Sequence, residues 1–291
     1  MSSEIQSIAR AGDRLFAAVQ RILPTRLLSW LMFKLTRIET VWFKNVFIRI
    51  FMRQFKISLA EAAIGHVEGF RSFNDFFTRA LKPGARAVAP EPAFVCPVDG
   101  TISQLGPILD GRIFQAKGHD YSAVELFGGD ALTAQEFADG EFCTIYLAPY
   151  NYHRIHMPAD ARLRHWRYVP GRLFSVNPAT ARAMPGLFAR NERVIAMFDT
   201  DKGPLAMVLV GALFVGSIET VWAGQISPPH KRSSEGGNFV APSPVALARG
   251  EEMGRFNMGS TVILLTAPGM VRWDGIALPG TTVRMGQALG R

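Results

Sequence analysis

The chain has 291 residues, enough for one large domain or two small ones. Hydrophobic residues make up 48% and charged residues 19%, which excludes a disordered chain. Only two cysteines occur, Cys96 and Cys143, too few for a disulfide framework and in keeping with a reducing compartment; the net charge of +8 is placed unevenly.

Residues 1–56 hold ten Lys/Arg against three acids, a balance of +7 that leaves the other residues nearly neutral. A nucleic-acid surface would set basic residues beside glycines and small polar groups. Here they stand beside Trp30, Phe33, Trp42, Phe43, Phe47 and Phe51, the mixture of a helix lying in a membrane interface. Helices are expected over 4–22 and 26–55, parted near Pro24. The basic residues from Lys34 to Lys56 fall on about half of a helical wheel. The same pattern would also suit a helix packed on its own domain or on a partner subunit. No run reaches the roughly 20 apolar residues of a membrane span: residues 27–33 are too few, and residues 203–218 are too few and interrupted by Gly211 and Gly216. The first 20 residues have no continuous apolar core, so no signal peptide is expected.

A further helical stretch is expected over 57–80, with Phe73, Phe76 and Phe77 forming one apolar face and Pro83-Gly84 ending it. After Pro90 short apolar runs alternate with Gly, Pro and Asp turns, at 94–97, 101–105, 142–147, 194–199, 206–210, 213–220, 262–265 and 271–273. No βαβ rhythm is present. The fold class expected is α+β: N-terminal amphipathic helices over 1–60, then a β-rich, mainly antiparallel two-sheet catalytic body over 61–291. Residues 227–241, with Pro228-Pro229 and Gly236-Gly237, are expected to form a mobile loop.

Three sites carry candidate chemistry. Asp99 lies in Pro97-Val-Asp-Gly100, which alone reads as a turn with the Asp bonding its own backbone. His153 and His156 lie in Tyr152-His-Arg-Ile-His-Met-Pro158, just past an apolar run. At this spacing they would suit a metal only with a third convergent ligand, a weak signal without a neighbouring Glu, and surface histidines without a role are the other reading of the pair alone. Ser260 follows Gly259 and enters the β-branched run Thr261-Val-Ile-Leu-Leu265. Together, Asp, His and Ser could activate a hydroxyl: the histidine takes its proton and the carboxylate fixes the tautomer and stabilises the imidazolium. The Gly-x-Ser-x-Gly elbow of many soluble serine hydrolases is missing. With a Gly immediately before the serine, the nearest carbonyl to attack belongs to the chain itself.

These segments carry a family resemblance. Phe73-Asn-Asp-Phe-Phe-Thr-Arg79, Pro97-Val-Asp-Gly100, Lys117-Gly-His-Asp-Tyr-Ser122, Tyr152-His-Arg-Ile-His-Met-Pro158, Leu173-Phe-Ser-Val-Asn-Pro178, Phe188-Ala-Arg-Asn-Glu-Arg193 and Gly254-Arg-Phe-Asn-Met-Gly-Ser-Thr261 occur in order. In them the chain resembles the bacterial, pyruvoyl-dependent phosphatidylserine decarboxylases. That family is made as a proenzyme; its usual Leu-Gly-Ser-Thr has Met258 in place of the Leu here.

The resemblance implies that Asp99 orients His156, that His156 activates Ser260, and that Ser260 attacks the Gly259 carbonyl. Elimination and loss of ammonia would leave Ser260 as an N-terminal pyruvoyl cofactor, with chains 1–259 and 260–291 held together noncovalently. The pyruvoyl carbonyl would condense with the amine of phosphatidylserine and take up the electron pair left by CO2, with His153 donating the proton to the product, phosphatidylethanolamine. No metal is implied. The expected partners are phosphatidylserine and an anionic membrane surface, at the cytoplasmic face of the cell membrane, with a homodimer through the N-terminal helices as a further option and no nucleic acid. Residues 117–129 and 227–241 could shape the headgroup pocket or be ordinary loops. Two rivals remain at this point: a serine hydrolase or acyltransferase using the same triad on an external ester, and a non-enzymatic membrane-binding protein.

Overall fold

The computed structural model describes residues 10–214, 217–226, 235–238 and 245–291. Three helices come first: α1 (Ala11–Ile22), α2 (Thr25–Leu35) and α3 (Val41–Phe55). Residues 4–9 of the first expected helix lie outside the described residues. The second expected helix, 26–55, is two helices rather than one. The break at 36–40 has a tertiary cause. The Thr36 carbonyl accepts from Asn74 N at 2.8 Å, and the Arg37 guanidinium folds over the Phe33 ring at 3.7 Å while reaching Ser217 Oγ at 3.4 Å. Propensity yields to these contacts.

The first two helices turn polar side chains inward, and α3 buries polar and apolar side chains together. The residues they bury are mostly polar: Asp13, Ala17 and Gln20 on α1, Thr25 and Ser29 on α2, Lys44, Asn45 and Ile48 on α3. Three of them bond residues of the body. Asp13 pairs with Arg182 at 2.9 Å, Gln20 bonds Thr180 Oγ1 at 3.1 Å and accepts from Ser175 N at 2.7 Å, and Ser29 Oγ accepts from Phe214 N at 3.1 Å. Many apolar side chains face out: Ile22 is 87% exposed and Trp42 70%, with Leu15, Leu27, Trp30 and Ile50 also exposed.

The expected helix over 57–80 is largely irregular. Only α4 (Phe73–Phe77) is α-helical, started by Ser72, whose hydroxyl accepts from Asp75 N at 3.2 Å. The chain instead folds back on itself, with Ala63 N bonded to Ala80 O and Lys82 N to Glu61 O, both at 2.9 Å, a pairing that no continuous helix could make. The face Phe73, Phe76, Phe77 does form and packs with Ile48, Leu59 and Phe70; Phe47 stacks on Phe73 at 4.2 Å.

Beyond lies the β body, and every strand pairing among the described residues is antiparallel. The main sheet runs Glu235–Asn238, Ala161–Val169, Arg193–Thr200, Gly203–Val210, Ser260–Thr266, Glu141–Leu147, Gly100–Pro107, Thr282–Val283, with Ala246–Leu247 also on Ala161–Val169. A four-stranded sheet, Gly224–Gln225, Ile218–Thr220, Glu252–Phe256, Arg154–His156, supplies Ile155, Ile218, Met253 and Phe256 to a core shared with Leu205, Met207, Leu209, Val262 and Leu264. The other face of the main sheet buries Val208, Ile263 and Leu265 against Phe127, Phe137, Phe174 and Phe188. Both faces are covered, which is why 205–210 and 262–265 read as unbroken apolar runs rather than alternating ones. Each such side chain stabilises the fold by about 2 kcal/mol on leaving water.

Part of the expected loop 227–241 is strand: Glu235–Asn238 pairs with Ala161–Val169, Gly236 opposite Arg167. A Cβ on Gly236 would meet Trp166 O at 2.5 Å, so only glycine allows this approach. Residues 227–234 and 239–241 of that loop lie outside the described residues.

Candidate active site

Asp99 sits at the entry to strand Gly100–Pro107, where Gly100 is required because a Cβ there would lie 2.6 Å from Tyr146 O. Its carboxylate does not turn on its own backbone. It accepts from Arg86 Nε at 3.0 and 3.2 Å, from Arg86 Nη2 at 2.6 Å and from Met285 N at 2.9 Å. Arg86 also donates to Glu61 at 2.9 Å.

His156 ends the short strand Arg154–His156, tied to the Asp99 turn by its backbone N–H, which donates to Pro97 O at 2.8 Å. Both ring nitrogens are engaged. Nδ1 lies 2.8 Å from Gly250 O and Nε2 2.9 Å from the Tyr152 hydroxyl. A carbonyl only accepts, so Nδ1 carries the proton and Nε2 receives the tyrosine O–H. Asp99 and His156 therefore stand on neighbouring elements but do not bond each other: the carboxylate is held by Arg86, and the place expected for it at Nδ1 is taken by Gly250 O. Burial pushes the His156 imidazole below its ordinary value, while the Gly250 carbonyl and the charges of Glu252 and Asp99 oppose that shift.

His153 is wholly buried. Its Nδ1 lies 2.9 Å from Asn151 O and so donates, which leaves Nε2 as a lone pair; that atom is buried without a hydrogen-bond partner. The ring packs 4.1 Å from Phe77 of α4. Burial, against the help of the Asn151 carbonyl, pushes its value down to about 3.

Ser260 is the first residue of a central strand of the main sheet, opposite Leu147 of Glu141–Leu147. Its hydroxyl is buried and unpartnered as well. An unmade hydrogen bond of this kind costs about 1–3 kcal/mol. The segment leading to Ser260 hangs from the histidines: Phe256 N donates to His153 O at 3.0 Å. Asn257 anchors it next, with N to Ser217 O at 2.9 Å, Nδ2 to Ser217 Oγ at 2.7 Å, and Oδ1 accepting from Asn74 Nδ2 at 3.1 Å.

Met258 follows at φ 124°, a region that side chains avoid, whereas Gly259 lies outside the left-handed region and a Cβ there would meet nothing within 4 Å. The backbone strain thus falls one residue before the glycine rather than on it.

Sequence reasoning attached no role to Arg86, Tyr152, Gly250 or Asn257. Tyr152, Asn74 and Asn257 stood inside the motifs without a partner to suggest one; Arg86 and Gly250 stood in none. Residues 117–129, one candidate for the headgroup pocket, include His119–Ser122, paired with Arg112–Ala116. Tyr121, Leu126 and Phe127 join the helix-covered face of the main sheet, opposite the core that receives Ile155. Among the described residues no group of three or more His, Cys, Asp and Glu could hold a metal ion. Cys96 and Cys143 are free and buried.

A buried, unpartnered serine hydroxyl, a buried histidine lone pair and a clamped carboxylate are groups of the kinds that nucleophilic and proton-transfer chemistry uses. Comparison with known proteins gives that chemistry its family. A family model described as phosphatidylserine decarboxylase matches residues 73–291, and one described as PSD matches residues 15–56. The chain belongs to the phosphatidylserine decarboxylase family. It is 52% identical over 280 residues to the phosphatidylserine decarboxylase proenzyme of Pseudomonas fluorescens, covering 95% of this chain and 97% of that one. To the proenzyme of Nitrosococcus oceani it is 52% identical over 283 residues, 97% and 92% of the two chains. To that of Stutzerimonas stutzeri it is 53% identical over 282 residues, 96% and 95%.

Proposed function

We propose that the chain is a proenzyme that cuts itself between Gly259 and Ser260 and then decarboxylates phosphatidylserine to phosphatidylethanolamine. The observation that carries this reading is the Ser260 hydroxyl, buried and without a hydrogen-bond partner directly after Gly259, in a chain that shares half its residues with phosphatidylserine decarboxylase proenzymes over nearly its full length.

In self-cleavage Ser260 Oγ attacks the Gly259 carbonyl carbon and gives its proton to His156. An ester replaces the peptide bond and the Ser260 nitrogen becomes an amine. Loss of the Ser260 α-proton then expels the Gly259 carboxylate as the new end of residues 1–259. Water finally replaces the nitrogen, which leaves as ammonia, and the small chain begins with a pyruvoyl group. His156 is prepared for its part because Gly250 O already fixes the tautomer that presents a lone pair at Nε2. Tyr152 must yield that lone pair to Ser260. Asp99 acts through its charge, which favours the imidazolium; direct contact with His156 requires release from Arg86.

Position 260 fits the group: a buried side chain with no hydrogen-bond partner can give way to a carbonyl without breaking a contact. A pyruvoyl group supplies a carbonyl conjugated to an amide, an electron sink for the pair released when CO2 departs. The residues of the chain do the rest. Phe77 and the buried setting of His153 exclude water, and His153 Nε2, free of any partner, handles the proton that replaces CO2.

The outward apolar faces of α1, α2 and α3 support peripheral binding to an anionic membrane surface at the cytoplasmic face. No helix among the described residues is long and apolar enough to cross a membrane.

A mass spectrum of the denatured protein tests the reading. Two chains, 1–259 and 260–291, the smaller carrying a pyruvoyl group in place of its serine, are expected. A single chain with an unmodified Ser260 that still reacts with a fluorophosphonate would replace it by a serine hydrolase.

A further inference from the structure

Arg79 ends the Phe73–Arg79 motif and is 92% buried, with only 8% of its surface exposed. A buried guanidinium normally has a carboxylate. Arg79 has no acidic side chain within 4.0 Å among the described residues; its Nη1 and Nη2 reach only the carbonyls of Phe76 and Tyr150, at 3.5 and 3.4 Å. It lines a cavity of about 220 Å³. The two acids on that cavity, Asp99 and Glu61, are both taken by Arg86, and Glu61 by Arg284 as well. The remaining cation on the wall, Lys56, is exposed at the C-terminal cap of α3 and makes no ion pair among the described residues. The cavity therefore holds three cations to two carboxylates, both carboxylates are engaged by Arg86, and the buried Arg79 has no ion-pair partner among the described residues.

We propose that this cavity seats the phosphodiester of the lipid headgroup and that Arg79 is its receptor. The inference rests on the decarboxylase reading above and goes beyond it by placing the headgroup. The location suits a molecule that joins membrane to active site. One wall is the end of α3, whose Val46 and Ile50 face outward. The opposite wall is Tyr150, Asn151 and Tyr152, and the next residue is His153. Arg79 itself is two residues from Phe77, which packs on the His153 ring. A phosphate at Arg79 leaves the acyl chains toward α3 and turns the serine end toward His153.

The chemistry selects phosphate over the other anion of the headgroup. A cation gripping the carboxylate would stabilise the reactant and lose its partner as neutral CO2 forms, which slows decarboxylation. A cation on the phosphate is equally satisfied before and after, so its binding energy serves affinity and orientation. Arginine also matches phosphate oxygens with two donors at once.

The test has two arms. In the first, the processed enzyme and its Arg79→Gln variant turn over water-soluble short-chain phosphatidylserine. Loss of a charge-assisted contact predicts a KM raised roughly 30- to 100-fold with kcat within about threefold, and Arg79→Lys recovers part of the loss. In the second, the uncut Ser260→Ala chain is titrated with glycerophosphoethanolamine and with ethanolamine. The phosphodiester binds at least about tenfold more tightly, and Arg79→Gln abolishes that preference. Binding to the uncut chain is read without activity, so failure of the decarboxylase reading cannot imitate failure of the phosphate site. Should Arg79→Gln not fold, the preference in the Ser260→Ala chain and the partial rescue by Arg79→Lys still decide. Equal binding of the two ligands overturns the proposal. So does an Arg79→Gln variant that keeps the preference for the phosphodiester, and so does an unchanged KM.

Discussion

Arg86 grips the Asp99 carboxylate through Nε and Nη2, the closer contact at 2.6 Å, with both side chains about nine-tenths buried. The pair removes from solvent the one acid expected to serve the cleavage histidine. Breaking it from one side strands a buried charge. Arg86→Met is expected to destabilise the protein by about 3 kcal/mol, a fall in Tm of roughly 6–12 °C for a chain of this size. Arg86→Met combined with Asp99→Leu recovers most of that loss, because no charge is left unpaired. Thermal melts of the three proteins, made on an uncut Ser260→Ala background, check this.

Ser260→Ala is expected to remain one chain of 291 residues and to be inactive. A gel separates the outcomes: an active uncut variant would end the proenzyme reading.

The two histidines should part company. His156→Ala is expected to block cleavage, whereas His153→Ala cleaves and loses most decarboxylation. Tyr152→Phe frees His156 Nε2 and should cleave at least as fast as the parent chain. Time courses of chain splitting and of CO2 release, run in parallel, distinguish the roles; failure of both histidine variants to cleave would reject the division.

Acid should expose how His153 is held. Its folded value of about 3 lies below the ordinary 6.5. The unfolded chain therefore binds a proton that the folded chain refuses between those values. The folded state is favoured most above pH 6.5 and weakens as pH falls, by at most about 1.4 kcal/mol per unit from this group. Urea melts at pH 7 and pH 5 should show wild type losing about 2 kcal/mol more than His153→Gln. An equal loss in both would mean the ring is protonated in place.

The outward faces of α2 and α3 predict membrane binding. Trp30→Glu with Trp42→Glu should cut sedimentation with anionic vesicles about tenfold and leave Tm nearly unchanged, since both rings are already exposed. A large drop in Tm would show that those rings pack in the protein.

Much of the fold was legible because burial writes itself into composition. Strands 205–210 and 262–265 are apolar at every position, and both faces of their sheet are covered. The helical entry was legible as amphipathic, but its direction was not: nothing in Gln20 or Ser29 announces that the polar side faces inward toward Thr180 and Phe214. The break at 36–40 and the fold-back at 57–80 depend on Asn74, Ala80 and Glu61, partners too distant for any local period to record. At the site, the residue types and their order could be read from the chain. Their partners could not. Asp99 is bonded by a residue 13 positions before it and by another 186 after it, and the His156 ring by a carbonyl 94 positions away.

Residues 260–291 enter the protein at three places: as a central strand between Gly203–Val210 and Glu141–Leu147, as Thr282–Val283 on Gly100–Pro107, and as Ala288–Gly290 on Phe94–Val95. A cut after Gly259 would thus leave the small chain woven through the middle of the large one. Unfolding would no longer be the act of one molecule. It would release two, and recovery would require them to meet again, so the melting point of the mature form should rise with its concentration while that of the uncut form should not. Cleavage would convert a protein that can refold alone into one whose assembly is remembered only as long as it stays folded.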